Sequence, residues 1–224
     1  MSARPIEFPA AGLSDGVVTL RLIADSDLPA IVAAVSDPEI PRYTRVPEPY
    51  GEQEARRWQR LATSGIASGT DLPTLIVGAE GGELLGAVAL HGLDPENGRC
   101  SAGYWVAAAA RGRGVARRGL GLLCRYGFGE LAVKRVELWI EPANLASLRV
   151  AEAAGFTREG LLRSYMQIGG SQAPQQRRTS ASPSGLRDRS QAPQQRRTSA
   201  SPSGLRDRSR RDMLMYSLLP QDLG

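Results

Sequence analysis

A run of alanines, Ala107–Ala110, separates Gly103-Tyr104-Trp105-Val106 from Arg111-Gly112-Arg113-Gly114-Val115-Ala116. The first segment has the apolar and aromatic texture of a strand. Helical spacing at Ala116, Leu120, Leu123 and Gly127 follows the second. A strand that feeds a glycine-rich turn and then a helix is built to hold an anion. Its glycines let backbone N–H groups approach closely, and the helix N-terminus adds about half a positive charge. Arg111 and Arg113 supply side-chain cations beside those amides. A P-loop would need a lysine after its last glycine, where this chain has Leu120 after Gly119. A dinucleotide fingerprint would need Gly or Ala at the position of Arg117. Taken alone, the turn could also be a turn that holds nothing.

It does not stand alone. A strand at Val136–Ile140 is followed by Pro142-Ala143-Asn144-Leu145-Ala146-Ser147 and then by a short helix running to Ala154-Gly155-Phe156. Together these elements resemble the GNAT superfamily of acyl-CoA-dependent N-acyltransferases, and within it the ribosomal-protein N-terminal acetyltransferase branch of the RimJ/RimL type. The resemblance rests on Gly103-Tyr104-Trp105-Val106, on Arg111-x-x-Gly114-x-Ala116, and on Asn144-x-x-Ser147 leading to Glu152-x-x-Gly155-Phe156. The last strand, Arg211-Asp212-x-x-x-Tyr216-Ser217-Leu218-Leu219, also fits. The resemblance implies an α/β (α+β) fold: a mixed, mostly antiparallel sheet with helices on both faces and two splayed parallel strands, here Cys100–Val106 and Val136–Ile140. It implies acetyl-CoA as co-substrate, with no metal. Backbone groups around Trp105, Val106 and Ala108 would pair with the pantetheine arm like an added strand. The turn Arg111-Gly112-Arg113-Gly114-Val115-Ala116 would hold the pyrophosphate through its amides from Arg113 to Ala116. Asn144 would fix the pantetheine amide, and Ser147 would lie near the thioester sulfur.

The chemistry so implied is direct attack of an amine on the thioester carbonyl. The backbone N–H of Val106 is the candidate for polarising that carbonyl, and Ser147 is the candidate proton donor to the leaving thiolate. Ser147 could equally cap the helix that follows it. The base is open. Many members of the branch carry a Glu two residues before the Gly of GYW, where this chain has Ser101. His91, the only histidine, and Glu141, just past the second splayed strand, are the candidates, beside a water relay. An α-amine with pKa near 7.7–8.0 needs little help, whereas a lysine side chain near 10.4 needs a base. The missing carboxylate therefore favours α-amines or small amines of low pKa.

The elements that must position these residues read as follows. Val17–Ile23 is a strand, and a helix starts near Ala24–Asp27 with Asp25 or Ser26 as N-cap. Residues 37–50, with four prolines, read as a loop, and Glu52–Ala62 as a second helix. Thr74–Ala79 and Leu84–Leu90 are strands around the turn Glu80-Gly81-Gly82-Glu83, and Cys100–Val106 is a third. Trp58 and Trp139 read as packing residues. Cys100 and Cys124 are too few for a disulfide framework, which suits a reduced, cytoplasmic protein. No apolar run is long enough for a membrane-spanning helix.

The net charge of +5 is local in origin. Ser171–Arg189 and Ser190–Arg208 are the same nineteen residues, SQAPQQRRTSASPSGLRDR, repeated without a change. They carry eight arginines and two aspartates, which leaves 20 basic and 21 acidic residues in the rest of the chain. The repeat has almost no side chain large and apolar enough to offset the ordering of its backbone, roughly 1–2 kcal/mol per residue, so disorder is expected. Its flanks, GLLRSYMQIGG and RRDMLMYSLLP, read as two arms of a hairpin with an expanded tip. One domain of residues 1–170 plus 209–224, interrupted by 171–208, follows. Its partners are acetyl-CoA and an amine acceptor, either a ribosomal protein N-terminus or a small molecule. RNA contact through the Arg-rich repeat and pairing of two copies into a homodimer are further options. A non-catalytic acyl-CoA-binding module and transfer of a longer acyl group remain as alternatives.

Overall fold

The computed structural model describes residues 4–167 and 210–223. The disorder expected of the repeat and the turn expected at Gly169-Gly170 lie outside the described residues. Eight strands form one sheet in the order β1-β2-β3-β4-β5-β6-β8-β7, numbered along the chain. They are β1 Leu13–Ser14, β2 Val18–Arg21, β3 Asp71–Gly78, β4 Leu84–Asp94, β5 Arg99–Val106, β6 Arg135–Ile140, β7 Thr157–Gln167 and β8 Arg210–Leu218. Every neighbouring pair is antiparallel except β5 and β6, which run parallel. The two flanks of the repeat do pair antiparallel, from Thr157 opposite Ser217 to Gln167 opposite Arg210.

Helices cover both faces, because the strands of the sheet's centre alternate apolar side chains to each side. On one face α1 (Leu28–Val35), α2 (Glu39–Tyr43) and α3 (Glu52–Ser68) pack Leu28, Ile31, Ile40 and Ala55 against Leu75, Val77 and Ala87. On the other, α4 (Val115–Glu130) buries Leu120, Leu123 and Cys124 against Leu20, Ile76, Val88 and Leu90. Helix α5 (Leu145–Ala153) joins that second core through Ala151. Gly119 brings α4 down onto the sheet: a Cβ there would stand 2.6 Å from Ile76 Cδ1.

Two local readings are corrected. Residues 39–43 form α2 inside the proline-rich stretch, because Pro41 falls in its first turn, where the missing N–H has no helical partner to lose. Neither Asp25 nor Ser26 caps α1. Both sit in a 3-10 turn, Asp25–Asp27, and the carboxylate of Asp27 accepts instead from the Ala24 N–H at 2.8 Å. Arg21 grips the same carboxylate through two nitrogens at 2.6 Å, tying β2 to the start of α1. That ion pair holds the Asp27 carboxyl below its ordinary pKa.

Candidate active site

Strands β5 and β6 stay together only through Arg99 and Arg135, Cys100 and Val136, and Ser101 and Glu137. Beyond those pairs β5 runs on to Val106 and β6 to Ile140 with a V-shaped opening between them. The outer flank of β5 is held by β4, and the Ala107 N–H donates to the Leu85 carbonyl at 2.9 Å. Antiparallel bonding alternates along a strand, so Ala107 and Trp105 turn their backbone groups toward β4 while Tyr104 and Val106 turn theirs into the opening. The register slips at Ile76 and Val77, leaving Leu85 as an extra residue in β4.

The glycine-rich turn closes one end of the opening. After a 3-10 turn at Ala108–Ala110, Gly112 and Gly114 take φ of +74° and +75°, a region that costs other residues about 1–2 kcal/mol. Gly114 is the N-cap of α4, and no atom lies within 4 Å of where a Cβ would stand on either glycine. Buried Ala110, Val115 and Leu120 anchor the turn from beneath. The arrangement suits an anion: exposed amides at a helix N-terminus with free space above them. Arg111 is committed to Asp37 at 2.6 Å and to the Val106 carbonyl at 3.3 Å. Arg118 pairs with Asp15 at 2.8 Å, whereas Arg113 is exposed and has no ion pair among the described residues.

Across the opening, Asn144 is the N-cap of α5: its Oδ1 accepts from the Ser147 N–H at 3.1 Å. Asn144 thus does the capping that Ser147 could have done, and its amide N–H groups make no hydrogen bond among the described residues. The Ser147 hydroxyl lies 2.7 Å from the phenol oxygen of Tyr104, which also donates to the Ser147 carbonyl at 3.3 Å. This bridge spans the V from β5 to α5. Burial pushes the Tyr104 phenol up to about 12, so it stays neutral.

The opposite face of the sheet carries a transverse polar row. Asp71, His91, Ser101, Glu137 and Ser217 stand in register on β3, β4, β5, β6 and β8. His91 Nδ1 lies 3.1 Å from Asp71 Oδ1. Its Nε2 lies over Gly103, 3.7 Å from where a Cβ would stand. The His91 bond holds the Asp71 carboxyl below its ordinary pKa. Glu137 is bound by Arg135 at 2.8 Å. Glu141 is bound by Arg211 at 2.5 Å, so its carboxylate is spoken for. A cavity of about 460 Å³ opens there, lined by Glu141, Ala143, Arg163, Arg211 and Asp212 among others. Trp139 packs edge-on to Tyr165, and its buried Nε1 has no hydrogen-bond partner among the described residues.

The sequence-derived residues thus divide. Val106, Ala108, the turn from Arg111 to Ala116, Asn144 and Ser147 surround one opening, whereas Trp105 is corrected: its backbone groups pair with β4 and its side chain packs on the core under α1 and α3. His91 borders it on the other face, and Glu141 sits beyond the end of β6. Sequence reading missed the roles of Tyr104, Asp71 and Glu137 as neighbours of these groups. A partial signal for Asp71 was present: counting outward along both arms from the turn at residues 80–83 brings Asp71 opposite Gly92, and only the bulge at Leu85 and the tighter turn set it opposite His91.

The family described as "Acetyltransferase (GNAT) domain" matches residues 18–157, more than half of the chain, and the chain belongs to it. It is therefore an acyltransferase, and its co-substrate is acetyl-CoA. An uncharacterized N-acetyltransferase, p20, of Bacillus licheniformis is 29% identical over 153 residues, which is 68% of this chain and 86% of that protein. Among solved structures, the fold is shared with RimL, a ribosomal L7/L12 alpha-N-protein acetyltransferase in complex with coenzyme A. That match has a TM-score of 0.70 at 18% identity and covers 96% of this chain and 99% of the other. The spermidine N-acetyltransferase of Vibrio cholerae, with CoA and spermine, matches at a TM-score of 0.65 and 18% identity, over 93% and 99% of the two chains. Among the described residues no helix is long and apolar enough to cross a membrane, and no cluster of metal-ligating side chains occurs.

Proposed function

We propose that this chain moves the acetyl group of acetyl-CoA to a primary amine, either a protein N-terminal α-amine, as on a ribosomal protein, or a small-molecule amine. Relatives of both kinds share the fold: RimL acts on a ribosomal protein, and the Vibrio cholerae enzyme is a spermidine acetyltransferase. The observation that carries the proposal is the V-shaped opening with the Ser147–Tyr104 bridge across it. Acetyl-CoA supplies the activated carbonyl. The amides from Arg113 to Ala116 bind its pyrophosphate, the Val106 N–H stabilises the oxyanion, and Ser147 delivers a proton to the departing thiolate. His91 takes the proton of the incoming ammonium from the face that also carries Ser101 and Trp139. Glu141, held by Arg211, shapes that approach rather than acting as base. The catalytic unit in this reading is residues 1–170 joined to 209–224, working in the cytoplasm.

The test is purified protein with acetyl-CoA and two acceptors, a peptide with a free α-amine and spermine, read by thiol release and by the mass of the product. A product 42 Da heavier, as acetylation requires, supports the proposal. Binding of acetyl-CoA with no acetylated product from either amine refutes it in favour of an acyl-CoA-binding module. Preference for butyryl-CoA over acetyl-CoA would reassign the acyl group.

A further inference from the structure

We infer that Asp71 is a positioning residue: with His91 it forms an aspartate–histidine pair whose free Nε2 faces the amine side of the opening. The inference rests on the acetyl-transfer reading above and extends it to a residue that none of the motifs singled out in the sequence contains. Three observations converge. Asp71 Oδ1 lies 3.1 Å from His91 Nδ1, so Nδ1 is the donor to the carboxylate and, in the neutral ring, Nε2 carries the lone pair. His91 is in register with Ser101, the last residue of β5 that β6 still pairs, so the imidazole stands at the vertex of the V. Gly103, next on the same face, has no side chain to shield Nε2. The pair is reachable from solvent, with His91 and Asp71 side chains 36% and 37% exposed.

Asp71 is itself held in place. Its Oδ1 accepts from the Gly92 N–H at 3.4 Å, and Gly65 of α3 lets that helix sit against its Cβ. The other charged groups around the ring are accounted for. Glu137, across Ser101, is bound by Arg135. Asp94 and Arg99 pair with each other further along the β4–β5 hairpin. No charged residue follows Arg60 in α3. Asp71 is therefore the anion in direct contact with His91.

In the reaction His91 Nε2 accepts one N–H proton of the incoming ammonium. The freed lone pair forms the C–N bond, the C–S bond breaks, and the thiolate leaves as the thiol with the second proton that nitrogen sheds, passed through Ser147. His91 then returns its proton to water. The carboxylate of Asp71 fixes the tautomer and stabilises the imidazolium.

The test is steady-state kinetics across pH for the full chain and for Asp71→Asn, His91→Gln and the double variant, with acetyl-CoA and whichever of the free-N-terminus peptide and spermine the wild type acetylates faster. His91→Gln is expected to lower kcat/KM for the amine by about 100-fold with the Kd for acetyl-CoA unchanged. Asp71→Asn is expected to lower it by about 10-fold through kcat, with the KM for the amine unchanged, since the ring is then no longer held in its productive orientation. The double variant should be no worse than His91→Gln. Free imidazole should restore rate to His91→Gly, a readout that does not depend on how well an Asp71 variant folds. An Asp71→Asn enzyme whose loss falls on KM alone, or one equally costly in the His91→Gln background, overturns the inference and leaves acetyl transfer intact. A wild-type chain that acetylates neither amine overturns the function reading itself.

Discussion

Replacing Gly114 by alanine isolates the contribution of one backbone angle to acetyl-CoA binding. Gly114 holds φ at +75° and ψ at 7°, and a Cβ placed on it would meet no atom within 4 Å. The substitution therefore introduces no clash, and its whole effect is the conformational cost of a left-handed L-residue, about 1–2 kcal/mol. In the free protein the turn can relax and hide part of that cost. In the complex it cannot, because in the proposed reading the amides of Val115 and Ala116 keep pointing at the pyrophosphate. The liganded form is thus destabilised by the full amount, which for a domain of this size is a fall in Tm of about 2–8 °C at saturating acetyl-CoA. Calorimetric titration divides the cost: whatever is missing from the free-protein Tm appears as weaker binding, up to about 30-fold if the turn relaxes completely. Gly129 is the control, since it lies in α4, is free of neighbours within 4 Å and has no positive φ. Gly129→Ala should stabilise by about 0.5–1 kcal/mol and leave affinity unchanged. A Gly114→Ala protein whose liganded Tm equals the wild type's would refute the reasoning, because the angle would then carry no function.

Ser147→Ala is expected to lower kcat by about 10–100-fold with the Kd for acetyl-CoA unchanged. Tyr104→Phe should cost about 10-fold alone and nothing in the Ser147→Ala background; additive losses would show that the two hydroxyls act apart. On acidification, the carboxyls of Asp27 and Glu159 stabilise the fold because both are easier to keep ionised folded than unfolded. Arg21 lowers the first, and Arg135, helped by Ser217, lowers Glu159 to about 2. Their stabilisation is complete above about pH 4.5 and is lost as pH falls through the folded values. Urea midpoints at pH 6 and pH 3 should therefore fall less steeply for Glu159→Gln than for the wild type. Burial pushes the Cys100 thiol up to about 12 and the Cys124 thiol higher still. Neither should react with a disulfide reagent at pH 8 until the protein unfolds, and rapid labelling of the native chain would contradict the described core.

The motifs that local chemistry dictates are legible in the amino-acid sequence itself. Glycines at 112 and 114, a helix behind them and the strand before them follow from short-range rules, and all stand where expected. What the sequence hid depends on pairing over distance. Tyr104 and Ser147 meet across 43 residues only because β5 and β6 diverge and α5 returns over the gap. Glu141 looked available until β8 brought Arg211 to it from 70 residues away. The short helix at residues 39–43 escaped notice because its prolines argue for loop everywhere except in a helix's first turn. The choice of Asn144 rather than Ser147 as cap is a contest between two good capping residues three apart, which composition cannot decide.

The position of β8 has a consequence for how the molecule is assembled as it is made. β6 shares a short parallel register with β5 but is paired along most of its length, from Val136 to Ile140, with β8. One wall of the opening between β5 and β6 is therefore braced by a strand that leaves the ribosome long after the wall itself, once residues 168–209 have been synthesised. Until then the only strand pairing of β6 among the described residues is the three residue pairs with β5 near the vertex. The nascent chain can fold its first five strands and α4 as they emerge, yet the cleft gains its second side only when the last strand arrives. A ribosome-stalled chain ending before Arg210 should accordingly fail to bind acetyl-CoA although its glycine turn is already formed.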